Sequence, residues 1–189
     1  MSFFYIQGKF VILYDPHGLR NRSDYPVNLV LNQEIIDREK FVNFLLSFFK
    51  NAKLSDRKVK IILGDSVVYQ KSVSLNEGER EEQVKKFLDS LPFEPGQVSA
   101  KIYNGKTASV VFAINKSFVD SFLRAFEIFG VNVLYLSPLS IFGISKDILD
   151  IEDIREISRK DEIAKKVDFL NKESQRFSIG RIFQRIFSK

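Results

Sequence analysis

The sequence has no cysteine, no tryptophan, one histidine and one methionine in 189 residues. Without cysteine there is no disulfide, no thiolate zinc site, no iron–sulfur cluster and no cysteine nucleophile. With a single histidine, His17, a His-rich metal site is excluded. A Ser-His-Asp triad would have to be built on that one residue. No apolar run approaches the ~18 residues that a membrane-spanning helix needs, so none is expected. The opening MSFFYIQGKF lacks a basic start, a following apolar run and a small-residue cleavage site, so no signal peptide is expected. Neither G-x-x-x-x-G-K-[ST] nor G-x-G-x-x-G occurs, and there is no G-x-S-x-G elbow.

What is present is a core. Apolar residues make up 44%, 19 of them Phe, and the 28% of charged residues mixes both signs, which argues against wholesale disorder. The net charge of +5 is unevenly placed. Residues 1–60 carry ten Lys/Arg against six acids, and residues 61–146 carry nine against nine. Residues 147–176 carry seven against nine, and residues 177–189 hold Arg181, Arg185 and Lys189 with no acid. A nucleic-acid interface would concentrate its basic residues on one element with interleaved aromatics. No such stripe occurs, and no nucleic-acid partner is expected.

Along the chain, Phe3–Ile6 and Phe10–Tyr14 read as a hairpin around Gln7-Gly8-Lys9, and residues 19–26 as loop. Val27–Leu31 reads as a short strand. Asp37 is the expected N-cap of a helix over 38–52, whose Phe41, Phe44, Leu45, Phe48, Phe49 and Ala52 share one face. Val59–Leu63 and Val67–Val73 suggest a second hairpin around Gly64-Asp65. Asn76 then caps a helix, with Glu79 as its capping-box partner and Val84, Phe87, Leu88 and Leu91 as the inner stripe. Asn104-Gly105 joins two further strands. Asn115 caps a helix striped by Phe118, Phe122, Phe126 and Phe129 and closed by Gly130. Val131–Leu136 reads as a buried strand, and Ser137-Pro138 as the start of another helix. The fold class is α+β: mostly antiparallel hairpins with helices laid on them.

Three parts are expected: an α+β domain over 1–146, a charged helical linker over 147–175 and a basic amphipathic helix over 176–189. In the linker the repeat Ile148, Ile151, Ile154, Ile157 gives way to Ile163, Val167, Leu170. That change suggests two short helices meeting near 158–162, on a solvated segment. In the last part Ile179, Ile182, Phe183, Ile186 and Phe187 cover an arc of about 140° at about 100° per residue. Arg181, Arg185 and Lys189 fall on the other side. Such a helix suits an anionic membrane surface, with rings at the acyl boundary and basic groups at the headgroups. Docking on its own domain or on a partner protein are the alternatives.

The order of elements resembles the first half of the PilM family, actin-like cytoplasmic proteins of type IV pilus assembly. The similar stretches are Leu31–Asp37, Lys58–Val68, the capped helix Glu77–Leu91 with its Pro92-Phe93-Glu94-Pro95 turn, and Val110–Pro138. The resemblance implies a partial actin-like ATPase fold. The family's first phosphate loop is built on an Asp-x-Gly after a strand, but Tyr5-Ile6-Gln7-Gly8 stands there without the acid. The second phosphate loop and the adenosine loop belong to a half that this chain does not reach. Arg176–Phe183 resembles the membrane-targeting tail of FtsA, a cell-division protein. These resemblances imply a non-catalytic scaffold, peripheral on the cytoplasmic face of an inner membrane, with no cofactor; the alternatives are a cell-division-type membrane tether resembling FtsA and a degenerate ATP-binding enzyme. Its partner would be another assembly protein or a second copy. The proposed membrane contacts are Ile179, Arg181, Ile182, Phe183, Arg185, Ile186, Phe187 and Lys189.

Three other features carry less. His17 beside Asp15 reads as a surface turn, and a metal site from Asp15, His17 and Asp24 would lie in one short loop. Gly143-Ile144-Ser145 has no partner base nearby. Arg57, Lys58 and Lys60 read as a solvated basic strand end.

Overall fold

The computed structural model describes residues 1–105 and 107–171. The chain opens with β1 (Phe3–Ile6), β2 (Phe10–Asp15) and β3 (Gly18–Asp24), then the short β4 (Val30–Leu31) and β5 (Glu34–Ile35), then α1 (Arg38–Asn51). β6 (Lys58–Leu63), β7 (Val68–Val73) and α2 (Glu77–Asp89) follow, then β8 (Val98–Asn104), β9 (Ser109–Asn115) and α3 (Lys116–Phe129). β10 (Asn132–Pro138), α4 (Ile151–Arg159) and α5 (Asp161–Lys166) complete it. The class is α+β.

One five-stranded sheet runs β10-β6-β1-β2-β3. β1, β2 and β3 pair antiparallel, while β6 and β10 run parallel to β1. β1 is buried on both faces, as a central strand must be, which explains its unbroken apolar run. Phe4 and Ile6 point to one face, where they meet α1 and α3. There Phe126 lies 4.7 Å from Phe4 edge-on and 4.7 Å from Phe49 in a stack. Phe3 and Tyr5 point to the other face and meet Leu149, Ile154, Ile157 and Ala164. The helical Phe stripes are core, as their spacing predicts. A second, three-stranded antiparallel sheet, β7-β9-β8, carries α2 on one side through Val84 and Phe87.

Several expectations hold in detail. Asp37 accepts from Lys40 N at 3.0 Å and Asn115 accepts from Phe118 N at 3.3 Å. Gly130 sits at φ +75, the left-handed cap that glycine tolerates. The hairpins β1–β2 and β8–β9 form, and α4 breaks from α5 at Lys160.

Other expectations are corrected. The supposed loop 19–26 is largely β3, an edge strand with no buried residue, which permits Arg20, Asn21, Arg22 and Ser23. The strand expected at Val27–Leu31 shrinks to Val30–Leu31. β6 and β7 exist but do not pair. β6 already has β1 and β10 as neighbours, so Gly64-Asp65 hands the chain to the other sheet. Asn76 caps through Gly78 N at 3.2 Å, and a capping box is found instead at Asp150–Asp153. Ser137-Pro138 does not start a helix: Pro138 ends β10 opposite Leu63, and only a 3-10 turn, Leu139–Phe142, follows. The segment read as a solvated linker is helical, but it docks. Leu149, Ile154, Ile157, Ala164, Val167 and Phe169 are buried, with Ile148 and Ile151 outside.

Candidate functional site

The expected membrane contacts, Ile179, Arg181, Ile182, Phe183, Arg185, Ile186, Phe187 and Lys189, all lie outside the described residues. Within the described part, two places bear on a ligand: the crevice position at the ends of β1, β6 and β10, which side chains close, and an open groove beside the β4–β5 turn.

The crevice is where the resemblance places a phosphate loop. Gln7, at the end of β1, is only 2% exposed. Its Nε2 donates to the Tyr5 hydroxyl, and its Oε1 accepts from both the Ser66 hydroxyl and Ser66 N. The Gly8 N–H donates to Ser66 Oγ at 2.8 Å, and the Tyr5 hydroxyl donates to the Lys146 carbonyl. The Gln7 amide lies flat on Gly64, where an added Cβ would stand 2.3 Å from it. Any Cβ there would push the Gln7 amide out of its hydrogen bonds to Ser66. A phosphate cradle needs backbone N–H groups free to point at an anion. Here the Gly8 and Ser66 N–H groups are both taken by the chain's own side chains. In this arrangement neither N–H is free to point at a phosphate. Burial raises the Tyr5 phenol well above its ordinary range, and the nearby carboxylates of Asp65 and Asp147 push the same way. Asp65 accepts from the Ser145 hydroxyl, so the Gly143-Ile144-Ser145 fragment is tied to this closure.

The remaining chemistry-bearing residues are accounted for as follows. The His17 N–H donates to Asp15 Oδ1 at 2.8 Å in an exposed turn. Among the described residues no three of His, Cys, Asp or Glu group together as metal ligands. Lys60 does not join Arg57 and Lys58 in a solvated patch. It is buried and pairs with Asp161.

The groove is open, with a volume of about 790 Å³. Phe10, Tyr25, Val30 and Tyr69 wall it, and Val27 (85% exposed) and Leu31 (57%) stand at its lip. Arg22 lies 4.0 Å from the Phe10 ring centroid and 2.9 Å from Asp24. At its base the chain turns through Asn32 (φ 49) and Gln33 (φ 66), left-handed positions that cost a non-glycine residue energy. Gln33 is fixed by Nε2 to Ser66 O at 2.8 Å and by its carbonyl to Asn115 Nδ2 at 3.2 Å. Its Oε1 is buried with no hydrogen-bond partner among the described residues. Sequence reasoning missed this groove. The only signal was Val27 and Leu31 in a polar stretch, and these read as strand interior.

No protein-family model matches the chain, and no curated protein matches it either. Among solved structures, it is similar to a chain of a "PilM-PilN type IV pilus biogenesis complex", at 18% identity and TM-score 0.49, covering 74% of this chain and 47% of that one. It is similar to the cytoplasmic domain of EpsL, an inner membrane component of the type II secretion system of Vibrio cholerae. There the values are 13% identity and TM-score 0.46, over 77% of this chain and 59% of that one. A Bacteroides thetaiotaomicron protein with an actin-like ATPase fold and unknown function gives 13% and 0.44, over 74% and 51%. The chain thus spans about half the length of the solved chains it matches.

Proposed function

We propose that this chain is a non-catalytic scaffold at the cytoplasmic face of a membrane, resembling pilus-assembly platform proteins. It would hold another assembly protein, or a second copy, on its folded α+β body. The segment Ile179–Lys189 would anchor it to anionic lipid. The observation that carries the reading is the contrast between the two places. The strand-end crevice, where a nucleotide enzyme would need donors, is filled by Gln7 and Ser66. The groove beside Gln33 is open and apolar, with two exposed aliphatic side chains at its lip. Exposed apolar residues gathered round a groove mark a surface suited to protein contact.

Two measurements test this. Titration calorimetry with ATP and magnesium is expected to give no heat of binding, and saturable heat would restore the degenerate-enzyme alternative. In flotation with anionic vesicles, the full chain is expected to rise with the lipid and the Phe183→Asp, Phe187→Asp variant to stay behind. Equal flotation of the two would end the anchor.

A further inference from the structure

The open groove offers both a hollow and a projection. Phe10 and Tyr69 in its walls are only half-buried and still present apolar surface, while Val27 (85% exposed) and Leu31 (57%) stand in water at its lip. Two parts of the chain line it: the β1–β2 turn with the start of β2, through Gly8, Lys9 and Phe10, and the β4–β5 hairpin, through residues 30–33. Each part carries one exposed charge. Lys9 is on the turn, and Glu34 is on the hairpin, opposite Leu31 in register. Neither makes an ion pair among the described residues, whereas Arg22 and Asp24 on the rim neutralise each other at 2.9 Å.

We propose that the occupant of this groove is a second copy of the chain, seated about a two-fold axis. The inference deepens the scaffold reading, since it chooses a second copy over another protein. A two-fold contact puts the same patch on both sides, so the patch must complement itself. This one does so in shape, because the aliphatic lip of one copy enters the hollow of the other and is entered in return. It does so in charge, because a two-fold axis through the apolar middle brings Lys9 of each copy to the partner's Glu34. A partner of a single sign would meet like charge at one of the two. The result is an apolar centre with a charged rim, the anatomy of a specific contact. Two exposed aliphatic side chains from each copy make a small interface, so the dimer is reversible and forms as concentration rises.

Sedimentation equilibrium of the full chain without lipid, from about 1 µM to about 1 mM, tests this. The chain is expected to pass from monomer to dimer. Lys9→Glu and Glu34→Lys should each weaken the dimer about tenfold, since the axis turns one substitution into two like-charged pairs. Mixing those two variants should restore it as a heterodimer in which both pairs are opposite again. Val27→Asp should leave only monomer, with an unchanged circular dichroism spectrum. Phe183→Asp, Phe187→Asp should leave the dimer as it was. A monomer throughout the range overturns the inference. So does a dimer that Val27→Asp spares, one insensitive to the charge variants or not recovered on mixing them, or one that only the Phe substitutions remove. A monomer that gives no heat with ATP leaves the scaffold reading standing with another protein as partner. A dimer that gives saturable heat with ATP upholds this contact and removes the scaffold reading.

Discussion

Removing Asp161 should destabilise the fold more than removing its partner Lys60, although the same ion pair is lost. Lys60 projects from β6 toward α5, with Nζ 2.6 and 2.7 Å from the two Asp161 oxygens. Asp161 Oδ1 also accepts from the Tyr135 hydroxyl at 3.1 Å. The pair is lopsided: the Lys60 side chain is 11% exposed and that of Asp161 39%. In Lys60→Met the carboxylate turns to water and keeps Tyr135, so the cost is about 1–2 kcal/mol. In Asp161→Ala the ammonium stays buried with no carboxylate, and Tyr135 loses its acceptor, for about 3–5 kcal/mol. The gap of about 2 kcal/mol corresponds to roughly 4–8 °C in Tm for a chain of this size.

Urea unfolding followed by circular dichroism measures all three species: each single variant and Lys60→Met/Asp161→Ala. The double variant should be more stable than Asp161→Ala alone, because it no longer buries a lone charge. Asp161 also opens α5, where a carboxylate favours the helix by about 0.3–1 kcal/mol. Glu162→Gln, one position on, loses the same contribution together with its exposed Lys165 pair at 2.7 Å, and so bounds it from above. Equal costs for the single variants, or a double variant whose cost is their sum, would refute the reasoning.

Gly130→Ala should cost about 1 kcal/mol. The new Cβ would meet only Arg57 at an ordinary 3.7 Å, so the penalty is conformational and arises from φ +75. Thermal melts check it, and Gly96→Ala, with open space around its Cβ, is the comparison. Tyr5, Tyr14, Tyr25 and Tyr135 are all held above their ordinary phenol pKa of 10.0, first of all by burial. The unfolded chain releases those protons near pH 10 while the folded one keeps them, so stability should fall as pH rises from about 10. Phenolate absorbance of the native protein just above pH 10 should lie below that of the urea-unfolded chain, and equality would contradict the burial. Val27→Asp and Leu31→Asp should each change stability by less than about 0.5 kcal/mol, since both side chains are already in water. The same substitutions should abolish self-association measured by sedimentation if the open groove is the contact between copies.

Much of the fold was legible because it rests on local patterns. The Phe spacing of α1 and α3, the caps Asp37 and Asn115, and Gly130 all act within one or two turns of a helix. β6 and β7 show where locality ends. β6 reads KVKIIL, apolar on both faces as a central strand, whereas β7 reads VYQKSV and is polar along its middle. That contrast was visible, yet two strands joined by Gly-Asp suggest a hairpin unless the parallel partner β1 is known. β3 was missed for the opposite reason: an edge strand needs little apolar sequence. The closed crevice could not be read at all. Gln7 and Ser66 are 59 residues apart, and neither is charged or periodic. Gln33 is equally silent, since nothing in its type announces a left-handed backbone or an unpaired oxygen.

Were Ile179–Lys189 the anchor proposed above, its size would constrain how the chain works. Five apolar side chains and three basic ones on eleven residues would make one small interfacial element. Each basic residue adds about 1 kcal/mol near an anionic surface, and one such element gives reversible, marginal binding. Two copies joined through the open groove change the balance. Once the first segment is in the bilayer, the second meets lipid at millimolar effective concentration, and avidity can rise 10²–10⁴-fold without any new contact. Membrane recruitment should therefore follow assembly and not precede it. Flotation should increase more steeply than in proportion to protein concentration, and Val27→Asp should flatten that dependence although it lies outside the anchor. A linear dependence, unchanged by Val27→Asp, would mean that each copy binds lipid alone.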